Sequence, residues 1–188
     1  MIKNFIESTK LQFLYYKSLG DKTFMQLEEK DLFWKFNEES NSIAVTVNHL
    51  HGNMMSRWTN FLTEDGEKEW RQRDQEFEEI IKTKDQFLTK WEAGCKCLFT
   101  AIDTITEENF NQLVYIRNQG HTTVEALQRQ LAHYAYHIGE IVYIGRMIKG
   151  ADWLSLSIPK GDSKSYNSKK FSQEKHREHF TKEFLSKK

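Results

Sequence analysis

The sequence predicts an all-α protein, a bundle of four main helices, and three observations predict it. Four stretches repeat apolar residues at three- and four-residue intervals, the spacing that turns one face of a helix toward a core. The one proline, Pro159, stands near the end of the folded region, so the strongest helix breaker interrupts nothing before it. At 188 residues the chain is long enough to close a single apolar core without disulfides.

The first helix is expected over residues 4–27, where Phe5, Ile6, Phe13, Leu14, Tyr16 and Leu19 share a face and Gly20 is expected to bend or fray the later turns. Capping side chains crowd residues 37–42, and after them Ile43, Val47, Leu50, Met54, Trp58 and Phe61 step along a second helix that should end between residues 63 and 66. Residues 64–84 are crowded with charge and offer only Trp70, Phe77, Ile80 and Ile81 as anchors. They read as a long connection with a short helix at most. Phe87, Leu88, Trp91, Cys95, Leu98 and Ile102 define a third helix that stops near residues 104–107.

Leu113, Val114, Tyr115 and Ile116 then have strand character, and Asn118-Gln119-Gly120 is a turn signal, which predicts a small hairpin or an extended loop before the last main helix. Thr122 with Glu125 has the form of a capping box. Val124, Leu127, Leu131, Tyr134, Ile138, Ile141, Val142 and Ile148 carry the fourth helix to about residue 149. Beyond Pro159 the composition turns to Ser, Lys, Gln and Glu. One domain over residues 1–167 is therefore expected, followed by a polar tail, 168–188, that is mobile or marginally helical.

Charge and cysteine content exclude several functions. Lys+Arg and Asp+Glu are matched at 27 each, so no overall field gathers a phosphate backbone, and nucleic acid is not an expected partner. The first residues lack the apolar core of a secretory signal, and no apolar run approaches the about 20 residues of a membrane span. A cytoplasmic protein with no membrane partner is expected. Cys95 and Cys97, two apart on a helix, diverge, which makes them a poor disulfide and a poor chelate and places them in or near the core.

The chemistry concentrates on histidine. His133 and His137 are four apart on the fourth helix, one turn above each other, and can chelate one ion. Their face continues into Ile141 and Ile144, so both should point inward, where a shared metal satisfies two stacked imidazoles at once. A third ligand should come from Asn48-His49-Leu50-His51 on the second helix. His51 aligns with Val47, Met54, Met55 and Trp58 and so reads as core, whereas His49 aligns with Asn53, Ser56 and Asn60 and reads as the wall of a polar site. Pattern favours His49 and leaves His51 open.

Three stretches carry a resemblance: residues 41–58 around His49-Leu50; residues 65–74, with Trp70, Arg71, Arg73 and Asp74; and residues 128–139 around His133 and His137, continuing into 155–161. In these the chain resembles the DinB-like, YfiT-type superfamily of metal-binding four-helix bundles over roughly residues 1–167. The resemblance implies a four-helix bundle with a long connection between helices, frequent homodimers, and a metal site of His49, His133 and His137. Three imidazoles suit zinc, nickel, copper or iron(II), and zinc or nickel is expected, with open positions for water or substrate.

Relatives of this broad superfamily include thiol-dependent transferases and hydrolases. The resemblance therefore implies a metal-dependent enzyme acting on a small molecule, by transfer of a low-molecular-weight thiol or by hydrolysis. The rival reading is a non-enzymatic, stress-related bundle in which metal or ligand only stabilises the fold or dimer. Glu140, three residues after His137, is the candidate catalytic residue, as a general base or as a partner that orients His137; similar proteins often carry glutamine there. The Arg pair beside Trp70 is expected to bind an anion or to pin the loop, with pinning preferred. His121 is expected in a turn, and His176 and His179 in solvent.

Overall fold

Sustained amphipathic spacing becomes helix in the folded chain. The structure, a computed structural model, describes residues 1–185. The four main helices are α1 (Ile2–Phe24), α2 (Ile43–Trp58), α3 (Lys84–Asp103) and α4 (Thr123–Lys149). A two-stranded antiparallel sheet, β1 (Leu113–Ile116) and β2 (Gln119–Thr122), precedes α4, and α5 (Ser163–Phe171) and α6 (Lys182–Leu185) follow it. The fold is thus mostly helical with one small hairpin.

Caps set the helix starts. Ser42 accepts from the Val45 amide at 3.2 Å at the head of α2, and Thr122 and Glu125 form the expected reciprocal box at the head of α4. α1 packs on α4 and α2 on α3, while α2 also touches α4. Their inward faces close a core in which Phe13, Leu50, Trp58, Phe87, Trp91, Leu127 and Ile141 are almost wholly buried. Within it Trp58 Nε1 donates to the Tyr134 hydroxyl at 2.8 Å, which donates to Asn53 Oδ1 at 3.0 Å. This satisfied polar chain ties α2 to α4 beside the histidines.

Several expected boundaries move. α2 stops at Trp58, short of residues 63–66, because Asn60 takes a positive φ of 49° and its carbonyl accepts from Thr63 and Glu64 in a tight turn. α1 runs through Gly20 to Phe24. A Cβ at Gly20 would lie 2.9 Å from the Trp91 ring, so this glycine permits a close helix contact. The hairpin turns at Arg117-Asn118, one residue earlier than the turn signal implied. Both have positive φ, 56° and 60°, the paired left-handed geometry that matches strand twist. His121 therefore lies in β2 rather than in a turn.

The connections are anchored. The Asp65 carboxylate accepts from the amides of Arg117 and Asn118 at 2.8 and 2.7 Å, and the Gly66 amide donates to Tyr115 O at 2.8 Å, which docks the α2–α3 connection onto the hairpin. A 3-10 turn, Asp74–Phe77, is the short helix of that connection, and another, Glu29–Phe33, sits between α1 and α2.

At the C-terminal side, the expected domain boundary at residue 167 falls inside α5. Residues near α6 lie along α1. Ser8 Oγ is 3.0 Å from His179 Nε2, Lys22 Nζ donates to Phe184 O at 2.6 Å, and the Phe180 and Phe184 rings sit 5.9 and 5.7 Å from Tyr15. Thr181 is fully buried. No helix among the described residues is long and apolar enough to cross a membrane.

Candidate metal centre

Two helices deliver three imidazoles to one point. α2 buries every residue from Ile43 to Leu50, and His49, 4% exposed, looks across to α4, where His133 and His137 stand one turn apart. The Nε2 atoms of His49 and His137 lie 3.3 and 3.2 Å from Nε2 of His133. One ligand atom from each residue falls within 4.8 Å of the others, so these three histidines form a group that could hold a metal ion.

The proton inventory tests that fit. His49 Nδ1 is 2.9 Å from Glu76 Oε2, and His137 Nδ1 is 2.7 Å from Glu140 Oε2. An ionised carboxylate only accepts, so Nδ1 of each ring carries an N–H, and in that neutral tautomer the Nε2 atom turns a lone pair toward His133. His133 Nε2 has at most one proton to offer two acceptors. Protonating His133 is no remedy, because burial first, then the neighbouring His137 and His49, hold it down to about 3. Burial likewise lowers His137 despite the Glu140 hydrogen bond. A cation at the meeting point satisfies all three lone pairs, and the two carboxylates supply the orienting partners that ligating imidazoles ordinarily have.

Glu76 is the residue that sequence reasoning missed. Burial pushes its carboxyl up, but hydrogen bonds from His49 and Arg71 outweigh burial and hold it below the usual range. Arg71 grips it with Nε and a terminal nitrogen at 2.7 and 2.9 Å, and Asn48 Nδ2 donates to its main-chain carbonyl at 2.9 Å. Gly52 makes room for it: a Cβ there would fall inside the van der Waals envelope of the Glu76 carboxylate. Phe77, next in the same 3-10 turn, stacks on the His49 ring with centroids 4.6 Å apart.

The loop residues divide their tasks. Arg71 pins the connection, Arg73 stacks over Phe77 at 5.3 Å, Trp70 is 55% exposed, and Asp74 opens the 3-10 turn. His51 is not core. It is half-buried in a groove with Trp70, Gln75 and Lys90, and His49 is the buried member of the pair. Apolar periodicity misassigned His51, which faces the α2–α3 connection rather than the core, whereas His49 does wall the polar site with Asn53.

His176 is exposed, whereas His179 contacts Ser8 and Thr181. Cys95 is a buried core thiol that burial pushes up to about 12, which makes it inert. Arg57 also escaped the sequence reading, although His49, Asn53 and Arg57 follow at four-residue steps along one face of α2.

A cavity of about 260 Å³ opens beside the histidines, walled also by Asn53, Gln130, Phe77 and several arginines. Glu140 faces a separate hollow of about 600 Å³ bordered by Trp34, Phe36, Tyr143 and Met147.

Fold and site together define a mostly helical protein with a three-histidine group, His49 buried and His133 and His137 partly buried, that could hold a metal ion. Residues 1–162 match the model of a family described as "Protein of unknown function (DUF1572)", and the chain belongs to that family. No curated protein and no solved structure matches it.

Proposed function

We propose that this chain is a metal-dependent enzyme of the DinB-like, YfiT-type superfamily, a four-helix bundle in which His49, His133 and His137 hold one divalent ion, zinc or nickel. The observation that carries the reading is the convergence of three Nε2 atoms with too few protons to satisfy one another. An ion held there supplies a Lewis acid that lowers the pKa of a water or thiol brought to it.

The chain's own residues do the rest. Glu76 and Glu140 fix the tautomers and ring planes of His49 and His137, so Glu140 is a positioning residue, its carboxylate engaged by Nδ1 at 2.7 Å. Phe77 holds the His49 plane, and the adjoining cavity admits a small molecule. That cavity favours catalysis over a purely structural ion, since a structural site is closed by a fourth protein ligand. By resemblance the reaction is transfer of a low-molecular-weight thiol or hydrolysis, carried out in the cytoplasm by a homodimer.

Elemental analysis of gently purified protein tests the reading. About one zinc or nickel per chain is expected in wild type and in His51→Ala, with loss in His49→Ala and in His133→Ala. Full metal content in both of the latter variants ends the proposal, and loss in His51→Ala alone reassigns the third ligand.

A further inference from the structure

The cavity beside the histidines is not neutral, although the whole chain is. Five guanidinium groups line it, contributed by α2 (Arg57), the α2–α3 connection (Arg71, Arg73), the hairpin turn (Arg117) and α4 (Arg129). Among the described residues, two carboxylates answer them. Glu67 is shared by Arg57 at 2.9 Å, Arg71 at 3.0 Å and Arg117 at 3.4 Å, and Glu76 is held by Arg71. Arg73 and Arg129 have no carboxylate partner among the described residues. The first stacks on Phe77, and the second lies 3.0 Å from His121 Nε2.

A second observation is independent of charge. Among the described residues, three buried side-chain atoms lack a hydrogen-bond partner: Arg57 Nε, Gln130 Oε1 and His133 Nδ1. All three belong to residues that wall this one cavity. Unsatisfied buried groups are scarce in folded proteins, and their gathering at one cavity marks a place where polar material from outside the chain belongs. Arg73, Arg117 and Arg129 are exposed, at the open side of the cavity, whereas Arg57 is buried in its wall.

We infer that this cavity binds a small molecule through an anionic group, a carboxylate or a phosphate, which Arg73 and Arg129 clamp at the mouth while the rest of the molecule faces the three histidines. Guanidinium suits either oxyanion, because its planar fork of N–H groups matches two oxygens at once. Arg57 and Arg71 hold the wall rigid through Glu67 and Glu76, so the two arginines free of carboxylates are the ones left to meet a ligand. The inference deepens the proposed enzyme by naming its substrate class, and it rests on that reading for what lies at the ligand's other end.

Calorimetric titration of the full-length protein with inorganic phosphate, malonate and the neutral diamide malonamide tests it, with metal content measured on each preparation. Saturable binding of phosphate or malonate but not of malonamide is expected. It should weaken about tenfold or more in Arg73→Gln and in Arg129→Gln while their metal content stays at the wild-type level. The tighter of the two anions tells phosphate from carboxylate. Equal affinity in wild type and both variants, or no saturable binding of either anion, overturns the inference. Arginine-dependent binding by metal-free wild type sinks the metal reading and leaves this one standing; a metal-loaded protein indifferent to both anions does the reverse.

Discussion

At the scale of single residues, Glu76 is a buried carboxylate shared between the His49 ring and the Arg71 guanidinium. Its substitution Glu76→Gln keeps an oxygen for His49 but loses the charge, and a fall of about 10-fold or more in metal affinity is expected by competition with a chromophoric chelator. Gly52→Ala sharpens the point. Helix propensity alone favours alanine by roughly 0.5–1 kcal/mol, yet the added methyl displaces the Glu76 carboxylate, so metal affinity should drop as in the glutamine variant. A Gly52→Ala protein with unchanged affinity would show that Glu76 does not act on the site. The three histidines were legible because helical spacing places His133 and His137 together and puts His49 on a polar stripe. Glu76 was not legible: it meets His49 across 27 residues of chain, through an irregular connection that no periodicity describes.

At the scale of elements, the hairpin and the α2–α3 connection stand or fall together through Asp65. Burial raises this carboxyl, but main-chain donors from Asn118, Glu67 and Arg117 outweigh it and hold it below its ordinary value of 3.8. Asp65→Ala should cost about 1–2 kcal/mol in urea unfolding, toward the low end for a partly solvated carboxylate. Because the folded pKa is depressed, the carboxylate's contribution is complete above 3.8 and fades as pH falls through the lower folded value. The stability gap between wild type and Asp65→Ala should therefore hold from pH 7 to 5 and narrow in acid; a gap that widens in acid contradicts the assignment. Helix existence was legible from apolar repeats and from caps such as Thr122 with Glu125, whereas helix ends were not. The end of α2 depends on the positive φ of Asn60, and the turn on those of Arg117 and Asn118, choices that tertiary docking makes.

At the scale of the whole molecule, a few residues around α6 pack along α1, while most of the polar C-terminal stretch is exposed. Composition hid this, since Phe180, Thr181 and Phe184 are isolated among charges; Thr181 is buried, and the Phe180 and Phe184 rings lie against Tyr15. Truncation after residue 172 is expected to lower Tm by roughly 2–4 °C for each kcal/mol of packing lost, with metal content unchanged. An unaltered Tm would mean that these contacts contribute nothing. The helices, the α2–α3 connection and the hairpin otherwise serve one arrangement, in which α2 and α4 face three imidazoles inward and the connection supplies the carboxylate that orients one of them. X-ray absorption spectroscopy at the edge of the metal that copurifies tests that arrangement most directly. About three imidazole nitrogens at roughly 2.0–2.1 Å are expected if the ion is zinc, with imidazole outer-shell scattering. A sulfur shell, or a shell of light atoms with no imidazole signature, would contradict that arrangement.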